Sequence, residues 1–490
     1  MAEIRVEQGV VRGDQRGGVF RFRGLPYAAA PVGERRWTAP EPPPSWDGVR
    51  EATEFGHAAI QMTDRPGELG AVPSEDCLNL NIWSPTLDAG ARLPVMVWIH
   101  GGGFLHWAAS MKQFHGRMLA HRGVVLVSFN YRLGVLGFLS HPEAGGNFAV
   151  QDWVAALRWV ARNIGAFGGD PDNVTAFGQS AGAEAVRTLL GTPAARGLFH
   201  RGIMQSAGFE RTAAIPDTPG ERLTRASTAF FELVGGGDLD HLGALPVETV
   251  RQAARAASGS TPPGQLHTPA NLVWRPTVDG RFVGEDLSSW DPDVPVLFGS
   301  TEHEARFFIT PSGPSAGGDP ADAYTPATLE NMAKILGGPR ADDLLAELTG
   351  STYEALAELI TAAIWTEPLH ASYQRFTETC HTAYAYRFAR VSPANRASGM
   401  LAHHCAELPH VFGYLDPEQH DEVDAQLSEA MLHAWTTFAL DGVPLGLDDQ
   451  PWPSATATEP RLTMIDDTVH AVPMRPGPVT ALIHSLRADR

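Results

Sequence analysis

Read for its apolar and polar positions, the chain divides into stretches of different period. Residues 1 to 25 alternate apolar and polar around Gly9, Gly13 and Gly17-Gly18, which predicts antiparallel hairpins. A proline-rich segment follows, from Pro26 through Pro31 to Pro42-Pro43-Pro44, too rich in proline for helix. Glu75 to Trp83 alternates again. Pro94-Val95-Met96-Val97-Trp98-Ile99-His100 is a continuous apolar run, and Val124 to Phe129 is a second, as expected of strands covered on both faces. The period then changes. Val150, Trp153, Leu157, Val160 and Ile164 recur at spacings of three and four, one stripe of an amphipathic helix. A short apolar run, Val174 to Phe177, predicts a strand, and an alanine-rich helical segment begins at Ala181. Helix, strand, helix is βαβ alternation and implies a parallel sheet with helices on both sides.

Gly202-Ile203-Met204, Val294 to Phe298 and Thr382 to Phe388 are further candidates for buried strands. Residues 215–290 and 309–380 differ from the rest. They are helical patterns rich in Ala, Leu and Glu, broken by loops at Thr261-Pro262-Pro263-Gly264 and Ser312-Gly313-Pro314. No linker or repeat divides the chain. The expectation is one α/β domain over 1–490, with helical insertions at roughly 215–290 and 309–380.

Composition adds limits. The 490 residues are 43% hydrophobic and 19% charged, enough for a large core, and the formal net charge is −19. That charge argues against nucleic acid and against an anionic membrane surface, both of which select clustered Lys and Arg. No apolar stretch is long enough to span a bilayer, and Met1-Ala2-Glu3-Ile4-Arg5-Val6-Glu7 has no apolar signal core. Cys77, Cys380 and Cys405 are too few for a disulfide framework and are expected to be free. A cytoplasmic protein is the expectation; oligomeric state is not legible.

Two glycine-rich stretches carry the chemistry. Gly178-Gln179-Ser180-Ala181-Gly182 has the G-x-S-x-G pattern of a nucleophile elbow, a strained strand-to-helix turn. A side chain at 178 or 182 would collide with neighbouring backbone, and Ser180 is left at a helix N-terminus, where free N–H groups favour negative charge. A glycine-bounded joint without chemistry would read the same way in isolation. The second stretch is His100-Gly101-Gly102-Gly103-Phe104, immediately after the run ending at Ile99. Three glycines there let backbone N–H groups turn toward one point, as the oxyanion of an acyl-transfer intermediate requires.

With these stretches in view, the chain resembles the type-B carboxylesterase (carboxylesterase/cholinesterase) family of α/β-hydrolases, in a bacterial-like form. The resemblance spans most of the length. It includes Phe22 to Ala28, Glu75 to Trp83, the loop 100–104, Phe129 to Gly134, Asn163 to Pro171 and the elbow. Met204 to Ala207, Trp435 to Ala439 and Trp452-Pro453 complete the series. It implies an α/β-hydrolase fold: a large, mostly parallel central sheet flanked by helices, with helical insertions over the active site.

The resemblance further implies a serine esterase with Ser180 as nucleophile, Glu304 as acid and His404 as base. Backbone amides of Gly102, Gly103 and Ala181 are implied to form the oxyanion hole. Ser206 matches a second, buried serine that supports the acid–histidine pair. Arg36 with Glu75, and Arg132 with Asp152, match internal ion pairs. The substrate implied is a small-molecule ester, with no metal and no organic cofactor. Gln179 stands where most members carry Glu, and residues 55 to 76 hold neither the tryptophan of choline-ester enzymes nor a cysteine to pair with Cys77.

Several alternatives remain open at this level. Glu302 competes with Glu304 as the acid, and His403 with His404 as the base. His403, His404, Glu407 and His410 could be imagined as metal ligands, although adjacent histidines do not naturally converge on one ion. Phe104, Trp107, Phe307, Phe308, Phe412 and Tyr414 are candidates for lining an acyl pocket, or for plain core. A carbamate, amide or thioester hydrolase would use the same triad. A non-catalytic binding homologue is disfavoured by the intact Ser180, Glu304 and His404.

Overall fold

The apolar run around residues 94–100 forms a strand whose alternate side chains enter different cores: Val95, Val97 and Ile99 pack in one apolar cluster, Met96 and Trp98 in another. A strand's period of two sends neighbours to opposite faces, so an uninterrupted apolar run is what a strand covered on both sides needs. In this computed structural model the described residues are 1–63, 67–213, 219–259, 266–284, 294–309, 324–379 and 382–487. Cys380 and the loops expected at 261–264 and 312–314 lie outside them.

The described strands, in chain order, are β1 (Ala2–Val6), β2 (Gly9–Arg16), β3 (Val19–Pro26), β4 (Val49–Glu51), β5 (Asn79–Ser84), β6 (Leu93–Ile99), β7 (Val125–Phe129), β8 (Gly169–Gln179), β9 (Arg201–Gln205), β10 (Val296–Thr301), β11 (Ala383–Phe388), β12 (Arg461–Ile465) and β13 (Val469–Pro473). They form one sheet in the order β1-β2-β3-β5-β7-β6-β8-β9-β10-β11-β12-β13, with β4 against β2. From β7 to β12 every pairing is parallel. The hairpins at one end and β13 at the other are antiparallel. This is the α/β-hydrolase architecture.

The stripe expected at 150–164 lies on the helix Phe148–Asn163, whose Val150, Trp153, Leu157 and Val160 are buried in the first cluster. The two implied ion pairs tie loops to this framework. Arg36 meets Glu75 at 2.6 Å, and Arg132 meets Asp152 at 2.6 Å with both side chains buried.

The chain leaves β6 for β7 on one side and returns to β8 on the other. A parallel sheet opens a crevice at such a switch, beyond the carboxyl ends of its strands. The triple-glycine loop follows β6 and the elbow follows β8, so the topology brings both to the same crevice.

Helices Pro219–Val234, Leu239–Ala244 and Val247–Ala257 follow β9. After β10 come Pro326–Gly337, Ala341–Glu347, Thr352–Thr361 and Glu367–Thr379. A third apolar cluster joins helices of the second group to Leu266, Ile309, Trp365 and the C-terminal helix Pro478–Ser485, and Phe308 packs against it.

Candidate active site

Ser180 sits between β8 and the helix Ala181–Leu190 with φ 57° and ψ −127°. A non-glycine residue with positive φ is strained, and such strain persists only where surrounding structure over-determines it. The glycines on either side explain how the turn closes. A methyl on Gly178 would lie 2.4 Å from the carbonyl carbon of Gly182, and one on Gly182 would lie 1.9 Å from the oxygen of Ile99. The Ser180 amide donates to Gln205 O at 2.8 Å, fastening the turn to β9.

The loop after β6 runs through left-handed backbone at three successive residues, Gly102 (φ 97°), Gly103 (φ 61°) and Phe104 (φ 60°). Its curl is tight: a methyl on Gly102 would meet the His106 carbonyl oxygen at 2.1 Å. The Tyr131 hydroxyl donates to the His100 carbonyl at 2.8 Å, and the two rings stack at 4.5 Å, which anchors the loop's first residue. Ala181, the third amide expected here, opens the helix after the elbow and is buried.

Glu304 begins a short 3₁₀ turn, Glu304–Phe307, just beyond β10, and is fully buried. One carboxylate oxygen accepts from the Thr301 amide at 2.8 Å, and the other is hydrogen-bonded to Nδ1 of His404. A carboxylate at Nδ1 fixes the neutral ring with its proton there and leaves Nε2 as the basic nitrogen. Nε2 faces the elbow, 3.1 Å from the side-chain nitrogen of Gln179. Burial works against charge on His404, but the Cys405 thiol and the Glu304 carboxylate outweigh it and push its pKa well up.

The neighbours point elsewhere. Glu302 is partly exposed, 3.5 Å from Arg387. The His403 ring bonds the His404 carbonyl oxygen at 2.6 Å through Nδ1 and stacks on Phe307. His410 turns its Nε2 to Asp424 at 3.2 Å. Among the described residues no group of three or more His, Cys, Asp or Glu converges as metal ligands would.

Of the candidate pocket aromatics, Phe307 and Phe308 flank the His404 ring at 5.7 and 5.2 Å. Phe104 is instead core, against Phe138 and Trp153. Phe412 is core against Trp98, Phe114 and Phe177. Trp107 packs on Phe114, and Tyr414 lies at the surface under the Lys112 ammonium.

Ser206 is fully buried with φ 59°, but its hydroxyl has no hydrogen-bond partner and does not bond Glu304. What ties Ser206 to the site is its carbonyl, which accepts from the indole of Trp365 at 2.9 Å. Sequence reasoning missed Trp365. It lies on a single π-helical turn, Ala362–Thr366, with its ring 5.7 Å from His404 and stacked at 5.5 Å on Phe308. Such a turn has no sequence signature, though π-turns recur at functional sites.

Near His404, Gln205 donates to Glu407 at 3.3 Å and accepts from the Trp435 indole at 3.2 Å, joining Glu407 to two of the sequence stretches that carried the resemblance. Burial pushes the Glu407 carboxyl up to about 7, with the nearby Glu304 charge adding to the effect.

A strained serine between parallel strand and helix, a triple-glycine loop at the same switch point and a histidine–glutamate pair facing the elbow are the features of a serine hydrolase of the α/β-hydrolase class. The sequence profile of the carboxylesterase family matches residues 1–477. The chain is 36% identical over 490 residues to the para-nitrobenzyl esterase of Bacillus subtilis (strain 168), covering 95% of this chain and 94% of that one. It is 33% identical over 475 residues to the phenmedipham hydrolase of Pseudarthrobacter oxydans, covering 92% of each. A solved PNB esterase structure superposes with a TM-score of 0.84 at 32% identity, over 98% of this chain and 99% of that one. The chain belongs to the carboxylesterase family, and it is a carboxylic-ester hydrolase.

Proposed function

We propose that the chain hydrolyses small, mostly uncharged carboxylic esters through an acyl-enzyme on Ser180. The observation that carries this reading is the His404 ring, held at Nδ1 by Glu304 and turned at Nε2 toward the elbow. A serine hydroxyl is a poor nucleophile until a neutral imidazole takes its proton. His404 takes that proton as Ser180 attacks the ester carbonyl, and Glu304 orients the ring and stabilises its charged form. The amides of Gly102, Gly103 and Ala181 receive the oxyanion. His404 then protonates the departing alcohol, and water activated by the same ring releases the acid. This chemistry calls on no metal and no organic cofactor.

The chain acts as one domain over 1–490. The apolar cluster joining the helices of the second insertion to Phe308 and Trp365, which touch His404, supports an insertion built over the site. Among the described residues no helix is long and apolar enough to cross a membrane. We place the chain in the cytoplasm, where the free thiols of Cys77 and Cys405 stay reduced. A net charge of −19 favours a small-molecule partner over nucleic acid or an anionic membrane.

Stopped-flow mixing with p-nitrophenyl butyrate tests the mechanism. A burst of about one p-nitrophenol per chain before the steady rate is the mark of an accumulating acyl-enzyme. Butyrylcholine tests the substrate class. The neutral Gln179 offers no charge to a quaternary ammonium, so kcat/KM for the choline ester should fall well below that of an uncharged butyrate. A preference for the choline ester would contradict the reading.

A further inference from the structure

Gln179 is fully buried, and its side chain reaches the same nitrogen of His404 that must serve Ser180. Its amide nitrogen lies 3.1 Å from Nε2, while its amide oxygen is buried without a hydrogen-bond partner. This orientation agrees with the chemistry of the ring in its neutral form, the form that acts as base. Because Nδ1 of His404 keeps its proton and donates it in a hydrogen bond to Glu304, the neutral ring presents a lone pair at Nε2, and the group facing it must be a donor. The amide is also backed by the oxyanion loop: a methyl on Gly101 would come 3.1 Å from its oxygen and 3.3 Å from Cβ of Ser180.

During turnover the proton of Ser180 moves to Nε2. The new N–H then faces an amide N–H, donor against donor. The terminal torsion of a glutamine is soft and roughly two-fold, so a half-turn brings the oxygen round to accept from the imidazolium. No existing partner of the oxygen is given up. A carboxylate at this position could only accept and would favour the charged ring, whereas an apolar side chain would serve neither state.

We propose that Gln179 is a positioning residue that follows the proton of His404 and shares Nε2 with the reacting oxygens, donating beside the Ser180 hydroxyl to the neutral ring and, turned over, accepting beside the leaving oxygen from the charged one. The inference rests on His404 being the base for Ser180. Among the described residues, the other ionisable groups around the ring are Glu304 at Nδ1 and His403, Cys405 and Glu407 on its own loop, with Tyr386 of β11 beside the two glutamates. They are unchanged when residue 179 is replaced.

The test is the pH profile of kcat and kcat/KM on p-nitrophenyl butyrate for wild type, Gln179→Glu and Gln179→Leu. A fluorophosphonate label located by peptide mass spectrometry is run alongside. The new carboxylate of Gln179→Glu should move the acid limb of kcat/KM up by about one pH unit or more. Gln179→Leu should lower plateau kcat about tenfold, with KM within about twofold and no upward move of the acid limb. An unmoved acid limb in Gln179→Glu, or wild-type kcat in Gln179→Leu, overturns the inference. If the buried carboxylate prevents folding, Gln179→Leu decides alone. Label missing from Ser180 in wild type would sink the triad reading and this inference together. Label on Ser180 with unaltered profiles in both variants would sink the Gln179 inference only.

Discussion

His303 and His403 lie side by side in a single parallel bridge, each one residue ahead of a member of the pair Glu304 and His404. The His303 amide donates to the carbonyl of Ala402 at 2.9 Å. Two loops separated by 100 residues are thereby set in register, and the next side chain of each meets the other. Burial pushes the His303 pKa down to about 4 and lowers that of His403 as well, so both flanking rings stay neutral at neutral pH and add no charge beside His404.

That register separates the two glutamates that motif matching left open. The Glu302 amide donates to Phe388 O, and its carboxylate turns toward Arg387, partly exposed. Glu304→Gln should lose at least about a hundredfold in kcat with KM little changed, because an amide at Nδ1 no longer enforces the right tautomer. Glu302→Gln should stay within about threefold. Steady-state kinetics on p-nitrophenyl butyrate reads both, and the reverse pattern would move the acid to Glu302.

Much of this was legible in the chain itself, for physical reasons. Runs such as Val95–Ile99 and the stripe through Trp153 carry their own period, so strand and helix declare themselves. Gly178 and Gly182 signal a turn that admits no side chain. The contact between Ser206 and Trp365 was not legible. The contact that matters is between a backbone carbonyl and an indole 159 residues away, and neither end has a sequence period. Phe104 and Phe412 mislead for the opposite reason: they adjoin motif residues in sequence, yet their rings turn into the core.

Trp365 therefore offers a test of the hidden support. Trp365→Phe keeps a ring beside Phe308 and His404 but removes the indole donor to the buried Ser206 carbonyl. An unpaired buried acceptor costs about 1–3 kcal/mol. Urea unfolding should show a loss in that range, and kcat should fall several-fold as Phe308 and His404 lose their fixed neighbour. Stability unchanged to within about 0.3 kcal/mol would mean the indole bond contributes nothing.

Glu407 gives the fold a pH dependence. Burial and then Glu304 push its carboxyl up to about 7 in the folded chain, against an ordinary value of about 4.3 when unfolded. Between those values the folded chain holds a proton that the unfolded chain has released. Stability from this group is thus fully present below the unfolded pKa, falls as pH rises through the window, and levels off above about 7. The loss is on the order of 3 kcal/mol. Glu407→Gln abolishes it, so between pH ~4.5 and ~8 the variant should lose less stability than wild type by roughly that amount. Parallel urea-unfolding series across this range measure the difference, and equal losses in both proteins would contradict the placement of Glu407.

Replacing Ser180 tests whether it is the nucleophile. Ser180→Ala removes the hydroxyl but keeps a small side chain at φ 57°, so the elbow should still close and the thermal midpoint stay close to wild type. With no nucleophile, kcat on p-nitrophenyl butyrate should drop by at least about a thousandfold. A folded Ser180→Ala protein that kept more than about a tenth of the wild-type rate would place the nucleophile elsewhere and contradict the account.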